Sequence, residues 1–145
     1  MKSLAVNKRA KFDYDIKDIY DAGLILEGSE VKSAKDGNVS LTGSYIKITD
    51  HEATLINAHI GPYKYAPQEN YDPTHTRKIL LKKSELNKLV GKEKGSIIVP
   101  MEMYIGPRNL VKLKIGVGFG RKKTDKREYI IKRDAEKTAR GRVDR

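Results

Sequence analysis

The chain has no cysteine and no tryptophan, and only two phenylalanines and five prolines in 145 residues. Without cysteine there can be no disulfide, no thiolate metal site and no thiol nucleophile, which fits a reducing cytoplasm. Long apolar runs are missing as well. The longest spans a few residues, so no helix in the sequence can cross a bilayer. Met1-Lys2-Ser3-Leu4-Ala5-Val6-Asn7 lacks the apolar stretch of a secretory signal. The phosphate-loop pattern and the G-x-S-x-G nucleophile elbow are both absent. His51, His59 and His75 are the only histidines, and no two have metal-ligand spacing. Asp13 and Asp15 share the exposed face of a predicted strand, where a solvated surface is the ordinary account. The sequence therefore predicts no enzyme, no catalytic residue, no metal site and no cofactor.

What it does have is positive charge, unevenly placed. The net charge is +11. Residues 1–11 hold Lys2, Lys8, Arg9 and Lys11 without an acid, giving +4. Residues 12–120 hold 15 basic and 14 acidic groups, giving +1, and residues 121–145 hold 11 and 5, giving +6. Three parts follow: a basic N-terminal arm at 1–11, a nearly neutral body at 12–120 and a basic C-terminal tail at 121–145. Cationic ends on a neutral body suit an extended polyanion, because each neutralised phosphate releases counterions. Neither end sets large apolar residues opposite its charges, so nucleic acid fits better than a membrane surface.

Hydrophobic periodicity predicts a mainly β body. Phe12, Tyr14 and Ile16 alternate with Asp13, Asp15 and Lys17, which reads as a half-buried strand. Asp21-Ala22-Gly23 reads as a turn. A short helix is expected over Glu30–Lys35 with Ser29 as its cap. Ser44–Thr49 and Ala53–Ile60 form a hairpin across Asp50-His51-Glu52. Residues 61–76 read as a loop carrying Tyr63, Tyr65 and Tyr71, rings on which bases can stack. Tyr14 and Tyr45 are expected in the core. Arg77–Leu81 is a strand, Ser84 caps a second helix, and Pro100 interrupts the strand that begins at Ile97. Val111, Leu113, Ile115, Val117 and Phe119 alternate with Lys112, Lys114, Gly116 and Gly118, the clearest strand of all, its glycines marking curvature. Six or seven short strands with two inserted helices point to a small closed or partly open β-barrel.

The tail differs in kind. Asp125 and Glu128 resemble a capping box, and Ile131, Ala135, Ala139 and Val143 make a thin apolar stripe. So little apolar area cannot hold a lone helix, so the tail is expected to be disordered when free and helical against a partner.

One ordered series of residues resembles the SsrA-binding proteins (small protein B), from about Asn7 to Asp134. It runs Asn7-Lys-Arg-Ala10, Ala22-Gly23, Gly28-Ser-Glu-Val-Lys-Ser33, Asn57-Ala-His-Ile60 with Pro62-Tyr63, Asp72-Pro73, Arg77-Lys-Ile-Leu-Leu81, then Gly120 and Asp125-Lys-Arg127. The resemblance implies an oligonucleotide-binding-type (OB-like) barrel with inserted helices. It implies binding to the tRNA-like domain of transfer-messenger RNA, delivered with elongation factor Tu and GTP to ribosomes stalled without downstream message. The tail would then fold in the small-subunit decoding region and the vacant mRNA channel, in trans-translation. By position, the resemblance places RNA contacts at Lys8, Arg9, Phe12, Asp21, Glu30, Lys32, Arg77, Lys78, Leu80 and Lys82. It places the ribosome-binding tail at Gly120, Arg121, Lys122, Lys123, Asp125, Lys126, Arg127, Lys132 and Arg133. Asp21 stands where the family usually has Glu, Phe12 and Tyr71 where it often has His, His75 where it often has Arg, and Thr124 where His or an aromatic is common. A ribosomal or ribosome-assembly protein with a basic barrel, and a generic single-strand-binding module, are the competing readings.

Overall fold

The alternating run at the end of the body becomes β9, Val111–Gly120, and it is the hub of the sheet. Along one edge it pairs antiparallel with β2, Tyr14–Leu24, and along the other with β8, Ile97–Ile105. The computed structural model describes residues 2–65, 69–91 and 95–120, together with 127, 130, 131 and 133. From β8 the sheet continues through β4 (Tyr45–Thr49), β5 (Glu52–Ile56) and β7 (Arg77–Leu80) back to β2. Every pairing is antiparallel, and the β8–β9 ladder closes the ring into the expected OB-like barrel.

Inward positions along these strands form one core. Leu55, Met103, Leu113 and Ile115 are completely buried, with Ala22, Ile46, Ala53, Ile79 and Ile98 around them. Helix α2 (Gly28–Lys35) and the two-residue pair β3 (Val39–Ser40) and β6 (His59–Ile60) extend this core with Ala34, Leu41, Ala58 and Ile60. Helix α3 (Lys83–Val90) adds Leu89.

Curvature comes from bulges and close approaches. The β8–β9 register shifts between Pro100 and Glu102, as a proline without a donor requires. The β2–β9 register shifts between Ile16 and Asp18, opposite Gly118. A β-carbon at Gly118 would lie 2.0 Å from the Asp15 carbonyl oxygen, so only glycine fits. The β4–β5 hairpin turns on Asp50 and His51, both at positive φ, as a two-residue primed turn demands.

Several local expectations are corrected. Phe12 lies in a helical turn, α1 (Ala10–Asp13), and β2 begins only at Tyr14. Asp21-Ala22-Gly23 is not a turn, because β2 runs straight through it. Neither serine caps its helix. The α2 cap is Glu27, whose N–H donates to the Glu30 carboxylate at 3.0 Å, and the α3 cap is Lys82, whose N–H donates to Glu85 at 3.2 Å. In both helices a glutamate three residues on sets the frame. Tyr45 is exposed rather than in the core, and Tyr14 is half-buried. Within residues 1–11, which carry the basic N-terminal charge, β1 (Lys2–Val6) pairs with β8, and the Asn7 Nδ2 donates to the Pro100 carbonyl at 2.9 Å.

Candidate nucleic-acid interface

Residues that alternate with the core face outward, and on β7, β2, β9 and β8 they fall into rows. One row runs Leu80, Gly23, Lys112 and Tyr104, each paired in register with the next. The row beside it runs Asp21, Lys114 and Glu102. Gly23 leaves room on the sheet, and Leu80 lies over it, its Cβ 3.4 Å from where a glycine β-carbon would be. Leu80 itself stays 57% exposed. An exposed leucine over a glycine, with Lys112 next along the row, offers an apolar contact beside a cation, a combination that suits the ribose and base edges of a folded RNA.

Tyr104, at the β8 end of this row, is buried and fixes the face at that edge. Its hydroxyl donates to Asp21 at 2.8 Å. Burial, followed by the Asp21 hydrogen bond, pushes the phenol up to about 12, so it remains a donor at neutral pH. The bond fixes the exposed Asp21 carboxylate at the position paired in register with Lys114. Lys112 and Lys114 share this face, and sequence reasoning took them only as part of a strand alternation. Their signal was the lysine at alternate positions of β9, on the same face as Asp21.

Two of the expected RNA contacts lie inside the body. Glu30 and Arg77 are each 2% exposed. The Arg77 Nε donates to Glu30 at 2.8 Å, and its terminal nitrogens donate to the carbonyls of Ala58 and Pro73 and to the Tyr71 hydroxyl. Glu30 divides its work between its oxygens. Oε1 accepts from the Glu27 N–H, while Oε2 meets Arg77, the His75 ring at 2.8 Å and the Tyr71 hydroxyl at 3.1 Å. Burial raises the carboxyl, but the Glu27, Arg77 and His75 hydrogen bonds outweigh it and hold Glu30 below its ordinary value. Tyr71 and His75, both in the segment read as a loop, complete this cluster. Their common effect is to tie α2, the 69–76 segment and β7 into one rigid block. Neither the Glu30 nor the Arg77 side chain is exposed at the surface of the free chain.

That block carries a second patch. Lys32, one turn along α2, is exposed, and its ammonium is 5.7 Å from the Tyr63 ring. Tyr63 meets Tyr65 edge to face at 5.5 Å, and Lys64 lies 4.8 Å from the Tyr65 ring. The Ile25 N–H donates to the Lys78 carbonyl, which joins this patch to β7 and so to the row of Leu80.

The remaining candidates are more scattered. Lys78 is exposed and lies 3.5 Å from Glu52. Lys82 is exposed at the head of α3. Lys8 and Arg9 are exposed in the turn before α1, with the Arg9 guanidinium 4.8 Å from the Phe12 ring and 3.3 Å from Asp13. Phe12 is half-buried. Gly120 ends β9 opposite Tyr14. Arg127, Ile131 and Arg133 have helical backbone and are exposed, and Ile130, also helical, is half-buried. Arg121, Lys122, Lys123, Asp125, Lys126 and Lys132 lie outside the described residues.

Known proteins share this sequence and this fold. The family model described as SmpB protein matches residues 4–145. An SsrA-binding protein of Alkaliphilus metalliredigens is 46% identical over 138 residues, covering 94% of this chain and 87% of that one. One from Coprothermobacter proteolyticus is 44% identical over 143 residues, covering 97% and 95%. A solved chain described as "tmRNA-SmpB: a journey to the center of the bacterial ribosome" superposes with a TM-score of 0.68. It is 39% identical and covers 86% of this chain and 92% of that one.

Proposed function

The chain belongs to the SmpB protein family, and we propose that it binds the tRNA-like domain of transfer-messenger RNA and brings it to stalled ribosomes in trans-translation. The observation that carries this reading is the exposed Leu80, set over Gly23 and in one row with Lys112, on a face that the Tyr104–Asp21 bond and the Glu30–Arg77 pair hold rigid. A rigid face favours a folded RNA over a flexible strand, because neither partner loses much freedom on contact. Lys8, Arg9, Lys32, Lys78 and Lys82 supply phosphate contacts around it, and Phe12 supplies a ring beside Arg9.

The tail does separate work in this proposal. Gly120 releases the chain at the end of β9, and residues 121–145 enter the vacant mRNA channel of the small subunit. Ribosomal phosphate there offsets the cost of ordering a cationic helix. Message already in the channel removes those contacts, so the tail gauges vacancy. Elongation factor Tu with GTP accompanies the RNA during delivery, in the cytoplasm, and the protein itself catalyses nothing.

The test separates the two halves. Replacing Asp125, Lys126 and Arg127 with alanine leaves affinity for the tRNA-like RNA within about twofold, yet abolishes peptide tagging on stalled ribosomes. A large loss of RNA affinity would show that body and tail are divided in the wrong place. Equal affinity of the intact chain for poly-U and the tRNA-like RNA would make it a generic strand binder. Copurification with every ribosome, translating or stalled, would make it a ribosomal protein.

A further inference from the structure

Six described non-glycine residues have positive φ: Asp50, His51, Asn57, Asn70, Arg108 and Asn109. Five of them are Asp, Asn or His, the side chains that tolerate the left-handed region best. Arg108 is the exception. It sits at φ 61°, ψ 22° on the β8–β9 hairpin tip, followed by Asn109 at φ 60°. The Leu110 N–H donates to the Pro107 carbonyl and closes the turn around this pair. A primed turn needs left-handed residues at both central positions, and Asn or Gly at the first would adopt that conformation with less strain.

Among the described residues nothing compensates Arg108 locally. It has no hydrogen-bond or ion-pair partner among the described residues, and its side chain is exposed. No acidic residue occurs between Ile105 and Lys114. Lys2 pairs in register with Ile105 on the neighbouring strand. Leu110, next in the chain, is 59% exposed. The tip therefore presents a cationic, partly apolar end without an acid of its own.

It is also continuous with the face described above. A β-carbon at Gly106 would lie 2.7 Å from the Lys112 Cδ and 3.7 Å from the Tyr104 ring. The Lys112 stem thus lies across Gly106, and it leads from the Leu80 row to the foot of the turn. We infer that the Arg108 tip is a further RNA contact, its guanidinium on backbone phosphate of the same RNA that the Leu80–Lys112 row holds. Backbone strain kept at a position where Asn would relax it is the mark of a side chain held for a ligand. The inference rests on the RNA-binding reading of that row.

Arg108→Asn separates stability from binding, because it relieves strain while removing the charge. The expected result is a Tm higher by about 2–3 °C, affinity for the tRNA-like RNA about five- to tenfold weaker at low salt, and a slope of log K on log salt reduced by about one. Arg108→Lys, equally strained but still charged, keeps the wild-type slope. Unchanged RNA affinity in Arg108→Asn would overturn the inference, as would a loss confined to binding of ribosomes without the RNA. Failure of the wild-type chain to bind the tRNA-like RNA would strike the underlying reading instead, so the two failures are distinguishable.

Discussion

Glu30 and Arg77 meet at 2.8 Å inside the body, each 2% exposed, and together they join α2 to the first residue of β7. Two opposite charges in such a place need every hydrogen bond they make, since desolvation removes the shielding of water. Here the requirement is met, with both Glu30 oxygens and all three Arg77 nitrogens engaged.

Removing one partner should therefore be costly. Arg77→Ala leaves the Glu30 carboxylate buried without its main partner, and the expected loss is about 3–5 kcal/mol of unfolding free energy. Urea denaturation measures it. A loss below about 1 kcal/mol would mean that water reaches Glu30 and that the pair is not a brace.

The same cluster sets a pH dependence. Glu30 has a folded-state value below its ordinary 4.5. Its contribution to stability is full above the unfolded value and drains away as pH falls through the lower folded one. Urea midpoints measured from pH 5.5 down to 2.5 should fall more steeply for wild type than for Glu30→Gln. Parallel curves would mean that the carboxylate is not held ionised by Arg77 and His75.

The binding face should respond in the opposite way. Leu80 is largely exposed, so Leu80→Asp should leave Tm within about 2 °C of wild type. The same change puts a carboxylate among phosphates and removes an apolar contact, so affinity for the tRNA-like RNA should drop at least tenfold. Filter binding at fixed salt checks this, and an unchanged affinity would move the interface off the β7–β2–β9 face.

These contrasts explain which features could be read from the chain. The alternation over Val111–Phe119 and the interruption at Pro100 were legible because strand periodicity and proline geometry are local. The helical turn holding Phe12 was not, since Phe12, Tyr14 and Ile16 alternate by coincidence across its boundary with β2. Gly23 looked like a turn, but its role is to lie beneath Leu80, a neighbour 57 residues away in sequence that no local pattern reveals. Glu30 and Arg77 looked like surface charges, because burial of an ion pair depends on partners from Ala58, Tyr71, Pro73 and His75 that only the fold assembles. The sequence motif was informative about the family and silent about which of its charged residues face the RNA.

The glycines of Gly116-Val-Gly-Phe-Gly120 supply a last test, because each has a different environment. At Gly118 a β-carbon would fall 2.0 Å from the Asp15 carbonyl oxygen and 2.9 Å from the Ile16 Cα, both of them backbone atoms. Neither can rotate away, and the contact lies where the β2 register shifts. Gly118→Ala must therefore push β2 from β9 and is expected to cost about 3 kcal/mol. At Gly116 the nearest atoms, 3.0 Å away, belong to the Ile16 and Met101 side chains. Those chains can repack, so Gly116→Ala should cost about 1 kcal/mol. At Gly120 nothing lies within 4 Å, and Gly120→Ala should change stability by less than about 0.5 kcal/mol. Thermal melts of the three variants give the order directly. If Gly118→Ala proved as mild as Gly120→Ala, the close approach of β2 and β9 would not be what requires glycine, and the bulge would need another cause.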